Sequence, residues 1–220
     1  THGDTNGIGY EVILKAFEAP EMLDLCIPII YGSPKVAAYH RNLMNIQTNF
    51  SIIDSAEDAK PGRLNMLATF DEEVKVEMGQ PSKEAGTASL KALEKALADY
   101  KEGAYDVLVT APINKNNIQS EDFNFCGHTE YIESKVGEGD KALMILMNDR
   151  LRVALATTHL PIKDVAGAIN KELIVEKGKI LHQSLKRDFS IPNPRIAILA
   201  LNPHAGDGGV LGTEEQETII

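Results

Sequence analysis

The chain has 220 residues, 43% hydrophobic and 25% charged, with a net charge of −10 and a pI near 5.1. That length builds one large or two small globular domains. The acidic balance speaks against sequence-independent nucleic-acid binding, which needs a basic surface, and no apolar run approaches the length of a membrane span. The two cysteines, Cys26 and Cys126, make neither a disulfide framework nor a CxxC pair. Both stand beside apolar residues and are expected to be buried free thiols, in a reducing, cytoplasmic setting.

In chain order, Gly3 to Gly9 (GDTNGIG) reads as a turn, and Glu11 to Phe17 as a helix with Pro20 just beyond it. Ile27 to Tyr31 is a short apolar strand. Gly32-Ser33-Pro34 then leads into a helix from about Lys35 to Asn42. The stretch from Ile46 to Val76 carries short alternating segments, read as strands with loops. Pro81-Ser82 opens a helix to about Lys101, with Leu90, Leu93, Leu97 and Tyr100 on one face. Three apolar runs follow, each predicted to be a strand: Tyr105 to Thr110, Leu151 to Thr157 and Arg195 to Leu201. A helical segment from about Ile162 to Arg187 is expected to break near Asn170. Thr213 is placed to cap a last helix, with Gln216 completing a capping box. The chain starts at Thr1 in a glycine-rich turn and stops at Ile220 inside that last helix, so both ends are expected to be cropped. Strands alternating with helices imply an α/β fold whose mainly parallel sheets carry helices on both faces.

In such sheets ligands bind outside the carboxyl ends of the strands. Lys115, His159 and His204 each come just after a predicted strand end, and a parallel sheet would bring those ends to one edge. His159 and His204, held by nearby Pro161 and Pro203, have the chemistry of ligands for a divalent metal. On spacing alone, ordinary loop histidines explain them equally well. His128, in Gly127-His128-Thr129-Glu130, stands where a helix begins. Free backbone N–H groups there favour an anion, although a simple capping sequence reads the same way. Lys115 suits an anion contact, polarisation of a carbonyl, or plain solvation. His40 and His182 fall within helices and are expected at the surface, while His2 at the chain start is left unassigned. No GxxxxGK[ST] loop is present. Val12 and Leu211 stand where the third glycine of a dinucleotide fingerprint would be, so the residues by themselves reveal no nicotinamide cofactor.

Six short motifs nevertheless occur in one order: Gly3-Asp4-Thr5-Asn6-Gly7-Ile8-Gly9-Tyr10-Glu11; Gly79-Gln80-Pro81-Ser82 with Glu84-Ala85-Gly86; Ala111-Pro112-Ile113-Asn114-Lys115; Gly127-His128-Thr129-Glu130; Thr157-Thr158-His159-Leu160-Pro161; and Leu201-Asn202-Pro203-His204-Ala205-Gly206. Together they resemble the 4-hydroxythreonine-4-phosphate dehydrogenase family of vitamin B6 biosynthesis, over essentially the whole chain. The first motif departs from the family's pattern, with Thr5 and Asn6 where proline and alanine are usual.

The resemblance implies a fold like that of isocitrate and isopropylmalate dehydrogenases, with two domains and a cleft, here read as 1–126 and 127–220, both incomplete. Those enzymes bind NAD or NADP without the usual fingerprint. It implies NAD(P)-linked oxidation and decarboxylation of 4-phosphooxy-threonine to an aminoketone phosphate in pyridoxal phosphate biosynthesis. By the same resemblance, His128 and Thr129 are substrate contacts. His159 and His204 are ligands of a divalent metal (zinc, magnesium or cobalt), whose positive charge makes a substrate hydroxyl more acidic. The family's third metal histidine belongs to a later segment that these 220 residues lack. Lys115 is the candidate for assisting proton transfer. The resemblance also implies a homodimer. Two alternatives stand beside this reading: a related dehydrogenase of a threonate or erythronate phosphate, and an acetyl or butyryl phosphotransferase on a related fold.

Overall fold

The computed structural model describes residues 1–71 and 73–220. Glu72, inside the stretch expected to carry strands, lies outside the described residues. The chain divides into two compact units, Thr1–Asp140 and Lys141–Ile220.

In the first unit, α1 (Gly9–Ala16) and the short α2 (Met22–Leu25) lead to β1 (Ile29–Gly32), α3 (Pro34–Leu43), β2 (Ser51–Ile53) and β3 (Asn65–Ala68). Both pairings of the sheet are parallel, in the order β1-β3-β2, with Ile30 opposite Met66 and Ile52 opposite the same residue. Its buried side chains, Ile30, Tyr31, Met66 and Leu67, come from continuous apolar runs, as a sheet covered on both faces requires. One face packs Ile30 and Met66 against Tyr10 and Leu14 of α1 and Val36 and Ala37 of α3.

The other face carries α4 (Lys83–Lys101), whose start is fixed by Ser82: its hydroxyl accepts the N–H of Ala85 at 3.1 Å. Ala85, Ala88, Ala92 and Ala96 are buried along α4. Ala92 and Ala96 share a cluster with Tyr31 and Leu67, so small side chains let the helix lie close to the sheet. Leu90, Leu93 and Leu97 turn instead to Ile118, Phe123 and Tyr131, the last on α5 (His128–Val136). Tyr100, expected on that apolar face, is exposed. Asp99 is buried yet matched twice, by the Tyr31 hydroxyl at 2.9 Å and the Lys95 ammonium at 2.6 Å.

Tyr105 to Thr110 does not become a regular strand. Among the described residues its backbone pairs with the segment Thr1–Gly3: Thr1 N–H donates to Val109 O at 2.8 Å and Ala111 N–H to Thr1 O at 3.1 Å, the pattern of parallel pairing. His2 N–H in turn donates to Tyr31 O at 3.3 Å. Thr1–Gly3 therefore sits between β1 and the 109–111 segment and continues the parallel arrangement for one or two residues. Val107 and Val109 remain exposed.

The second unit begins with an antiparallel hairpin, β4 (Ile145–Met147) and β5 (Arg152–Ala154). Asn148 Oδ1 closes its turn by accepting the N–H groups of Arg150 and Leu151, both at 2.9 Å. The predicted strand at Leu151 to Thr157 is thus shorter and antiparallel. Then come α6 (Ile162–Ala168) and α7 (Lys171–Arg187), broken where expected because Asn170 Oδ1 caps Leu173 N–H at 2.8 Å. Arg195 to Leu201 is not a strand: its residues up to Ala200 are exposed, and no ladder partner is present among the described residues. A strand needs that partner to satisfy its backbone.

Three smaller expectations are corrected. Cys26 and Cys126 are exposed, because apolar neighbours such as Leu25 and Ile27 are themselves at the surface. His40 is fully buried, facing Tyr10 across the α1–α3 contact; His182 is exposed as expected. The last turn, Glu215–Ile219, takes no side-chain cap. The Thr213 carbonyl, rather than its hydroxyl, accepts the N–H groups of Gln216 and Glu217.

Truncating Leu93, 1% exposed, should cost about 2–5 kcal/mol, whereas Val107→Ala should stay within about 0.5 kcal/mol. Urea denaturation of the two variants measures both, and equal effects would contradict the placement of the core around α4.

Candidate active site

The carboxyl edge of the first unit's sheet is where four of the six motifs meet. The glycine loop Gly3–Gly9 lies at its centre. Asp4 N–H donates to Pro112 O at 2.9 Å, tying the loop to the third motif. The Asp4 carboxylate accepts from Asn6 N–H at 2.8 Å and from the Asn117 amide at 3.4 Å. Asn6 holds the second motif with three bonds: its side chain donates to Gln80 O at 2.8 Å and accepts from Glu77 N–H at 2.9 Å, and its carbonyl accepts from Gly79 N–H at 2.8 Å. The Ser89 hydroxyl on α4 bonds the carbonyls of Gly3 and Ala85.

The glycines are needed for close approach rather than for loop freedom alone. A methyl group at Gly3 would collide with Pro112 O, one at Gly9 with His2 O, and one at Gly86 with Asn117 O. Only Gly3 of these three also has a positive φ, +71°.

From this hub the third motif turns outward. Asn114 Oδ1 accepts the N–H groups of Asn116 and Asn117, at 3.0 and 3.2 Å, and shapes a turn that presents Lys115 at the surface. The Lys115 side chain lies against Gly127, with Cε 3.8 Å from where a Cβ would stand. Gly127 is the N-cap of α5 and supplies no side-chain cap, so the helix start is left open beside Lys115, half-buried His128 and half-buried Thr129. Burial holds the His128 imidazole below its ordinary pKa, helped by the positive charge of Lys115. An imidazole, a hydroxyl and an ammonium share this helix start with the Glu130 carboxylate, whose Oε2 lies 3.9 Å from where a Gly127 Cβ would stand, a polar cluster with the groups to bind an oxyanion in competition with that carboxylate.

Behind the loop is a buried aromatic stack. The His2 ring lies parallel to Tyr10 at 5.1 Å, and Tyr10 meets His40 at 5.3 Å. The Tyr10 hydroxyl accepts Ser33 N–H at 2.8 Å, and His40 Nε2 bonds Thr5 O at 2.8 Å. Burial pushes His2 down to about 3, so it is neutral at ordinary pH.

The second unit carries the other two motifs. His159 and His204 are both exposed and both in the left-handed region, with φ of +55° and +52°. For residues with a Cβ that conformation is uncommon, and it concentrates at functional sites. The turn Pro203–Gly209 keeps positive φ at six successive residues, from His204 to Gly209. Buried Glu215, overlooked in the sequence in favour of its neighbour Gln216, anchors that turn. Its carboxylate accepts Asn202 N–H at 2.6 Å and the Asn202 amide at 3.0 Å, and Glu214 takes a second bond from that amide at 2.7 Å. The Asn202 donors hold the Glu215 pKa below the usual carboxylate range. Imidazole suits a divalent metal, but the number of donors falls short: no three His, Cys, Asp or Glu side chains gather as a metal-holding group among the described residues.

An α/β chain with polar and glycine-rich loops gathered at the carboxyl edge of a parallel sheet is built as a ligand-binding enzyme unit. Residues 24–220 match the family model described as pyridoxal phosphate biosynthetic protein PdxA, and the chain belongs to that family. Over its full length it is 61% identical to a 4-hydroxythreonine-4-phosphate dehydrogenase of Bacteroides thetaiotaomicron, covering 60% of that protein. It is 40% identical to one of Sulfurihydrogenibium, covering 67%. Among solved structures, those of 4-hydroxythreonine-4-phosphate dehydrogenases from Klebsiella pneumoniae and Burkholderia phymatum superpose with TM-scores of 0.84 and 0.81. Each is 27% identical to the chain, which covers 66% of it. The family resemblance read from the motifs is borne out, as is the mixed α/β architecture with a parallel sheet.

Proton NMR of the imidazole should find His128 titrating below the ordinary value of about 6.5. Lys115→Met should move it upward by removing a nearby positive charge. Because the folded pKa is lowered, the contribution of His128 to stability is complete above its unfolded pKa and declines as pH falls below it. An unchanged pKa in the variant would contradict the closeness of the two side chains.

Proposed function

We propose that the protein carries out NAD(P)-linked oxidation and decarboxylation of 4-phosphooxy-threonine to an aminoketone phosphate. The observation that carries this reading is the convergence of the Gly3–Gly9, Gly79–Gly86, Ala111–Lys115 and Gly127–Thr129 motifs on one sheet edge, in a chain belonging to the PdxA family. The named activity of the relatives supports it. The chain spans 60% of the Bacteroides relative, so the whole enzyme's chemistry is part of the proposal. So are a homodimer, a cytoplasmic setting, and an isocitrate dehydrogenase-like two-domain arrangement with domains at 1–126 and 127–220.

In this reading His128 and Thr129 bind the substrate. Neutral His128 offers either a donor or an acceptor nitrogen, and Thr129 a hydroxyl that does both. Lys115 supplies positive charge to an anionic group and is the candidate for assisting proton transfer. His159 and His204, both in left-handed backbone, are this chain's share of the ligands for a divalent ion. NAD or NADP accepts the hydride.

The test is an assay with NAD and NADP on 4-phosphooxy-threonine and on threonate and erythronate 4-phosphates, with zinc or cobalt titrated by calorimetry. Turnover is expected on the first substrate. His128→Ala should raise KM about ten-fold or more, and His159→Ala and His204→Ala should each weaken metal binding while His182→Ala does not. Activity confined to a threonate or erythronate phosphate would replace the substrate. Activity and metal binding indifferent to both histidines would remove the metal assignment.

A further inference from the structure

Asn6 is followed by Gly7, the one Asn-Gly step in the chain. That pair carries a chemistry of its own. Glycine has no side chain to shield its backbone nitrogen, and that nitrogen lies within reach of the asparagine amide carbon, Cγ. When the nitrogen attacks, a new C–N bond closes a cyclic imide and the bond from Cγ to Nδ2 breaks. Ammonia leaves, taking the Gly7 N–H proton. Water then opens the imide at either carbonyl. One opening gives aspartate. The other gives isoaspartate, in which the main chain runs through the former side chain and is one carbon longer. No oxidant, cofactor or enzyme is consumed. The alanine usual in the family at this position has no amide to react.

We propose that Asn6 is a site of spontaneous modification, held inert by the folded glycine loop and converted when the Glu77–Gln80 loop releases it. The side chain is fixed at both ends: Nδ2 donates to Gln80 O at 2.8 Å and Oδ1 accepts Glu77 N–H at 2.9 Å. The attacking nitrogen is engaged too, since Gly7 N–H donates to Asp4 O at 3.0 Å. Asn6 is 3% exposed, so the water that opens the imide has little access. Cγ reaches the Gly7 nitrogen only after the amide leaves both partners and Gly7 N–H leaves the Asp4 carbonyl. The latch is the weaker side of this arrangement. Glu77, Met78, Gly79 and Gln80 are all exposed, and surface loops open at lower free energy than the core.

Conversion is one-way and strikes the hub of the first unit. An aspartate at position 6 has no N–H to give Gln80 O, and it sets a second carboxylate two residues from that of Asp4. Isoaspartate lengthens the main chain just before Gly7–Gly9, where Gly9 lies against the His2 carbonyl with no room for a methyl group. Neither product restores the bonds that tie the glycine loop to the second motif. The asparagine that fastens the two loops is therefore also the place where they come apart irreversibly. This holds whatever reaction the protein carries out.

The experiment incubates the 220-residue chain at mildly alkaline pH, native and in urea, and follows the tryptic peptide Thr1–Lys15 by mass spectrometry. Asn6 is the only asparagine in that peptide. Reaction of a transiently opened site tracks the population of the open form. Asn6 should convert in urea, and about ten-fold or more slowly in the native chain. Glu77→Pro removes the N–H that Asn6 Oδ1 accepts and should speed native conversion several-fold. Asn6→Asp, which is the aspartate product itself, should unfold at lower urea than wild type. Equal rates in the native and unfolded chains would overturn the protection, and an Asn6 unchanged in urea would overturn the site. A folded Glu77→Pro variant as slow as wild type would overturn the latch; should that variant misfold, the comparison of native with unfolded wild type still decides. An Asn6→Asp variant as stable as wild type would overturn the damage to the hub.

Discussion

Backbone touches backbone at three glycines in and around the glycine loop, and the arrangement of the first unit's site follows from that contact. Gly3 lies against the Pro112 carbonyl, Gly9 against that of His2, and Gly86 against that of Asn117. No side chain fits at any of the three, so the glycine loop, α4 and the 111–117 turn pack closer than ordinary side-chain packing allows. That closeness brings Asp4 within reach of Asn117, and Ser89 within reach of the Gly3 carbonyl. It also lets Asn6 satisfy three groups of the 77–80 loop. The bonds that Asn6 and Ser89 make here run mainly to main chain, which fixes geometry more tightly than long flexible side chains would.

The two units solve the placement of functional groups differently. In the first, His128, Thr129 and Lys115 gather because rigid elements end near one another, and burial lowers the histidine pKa. In the second, His159 and His204 depend on left-handed backbone. A left-handed residue with a Cβ costs of order 1–2 kcal/mol, and the Pro203–Gly209 turn holds several. The buried Glu215 carboxylate, bonded to both donors of Asn202, is the fixed point that offsets this strain.

Much of this was legible in the sequence. Helix starts at Ser82 and Asn170 were visible because a hydroxyl or amide in the right place has one dominant local use. The loops expected to carry function were visible as polar, glycine and proline stretches after apolar runs. What misled was the apolar run itself. Tyr105–Thr110, Leu151–Thr157 and Arg195–Leu201 look alike in composition, yet one pairs briefly with Thr1–Gly3, one forms an antiparallel hairpin and one pairs with nothing described. Strand formation is decided by a partner distant in sequence, which composition does not encode. His40 was misplaced for a related reason: a histidine on a short helix carries no sign that a tyrosine and a carbonyl await it. Ser89 and Glu215 had no local signal either, since their partners lie 86 and 13 residues away. Of the two residues that depart from the family's usual pattern, Asn6 is structural, bonding the Glu77–Gln80 loop.

The central claim, that backbone contact at glycine positions assembles the site, is tested most directly by unfolding free energies of two helical glycine variants. Gly86 in α4 and Gly178 in α7 are both interior to helices. Helix propensity alone predicts that alanine stabilises each by about 1 kcal/mol. A methyl at Gly178 meets nothing within 4 Å, whereas one at Gly86 meets the Asn117 carbonyl. Gly178→Ala should therefore be neutral or stabilising and Gly86→Ala destabilising. A Gly86→Ala variant as stable as Gly178→Ala would contradict the account.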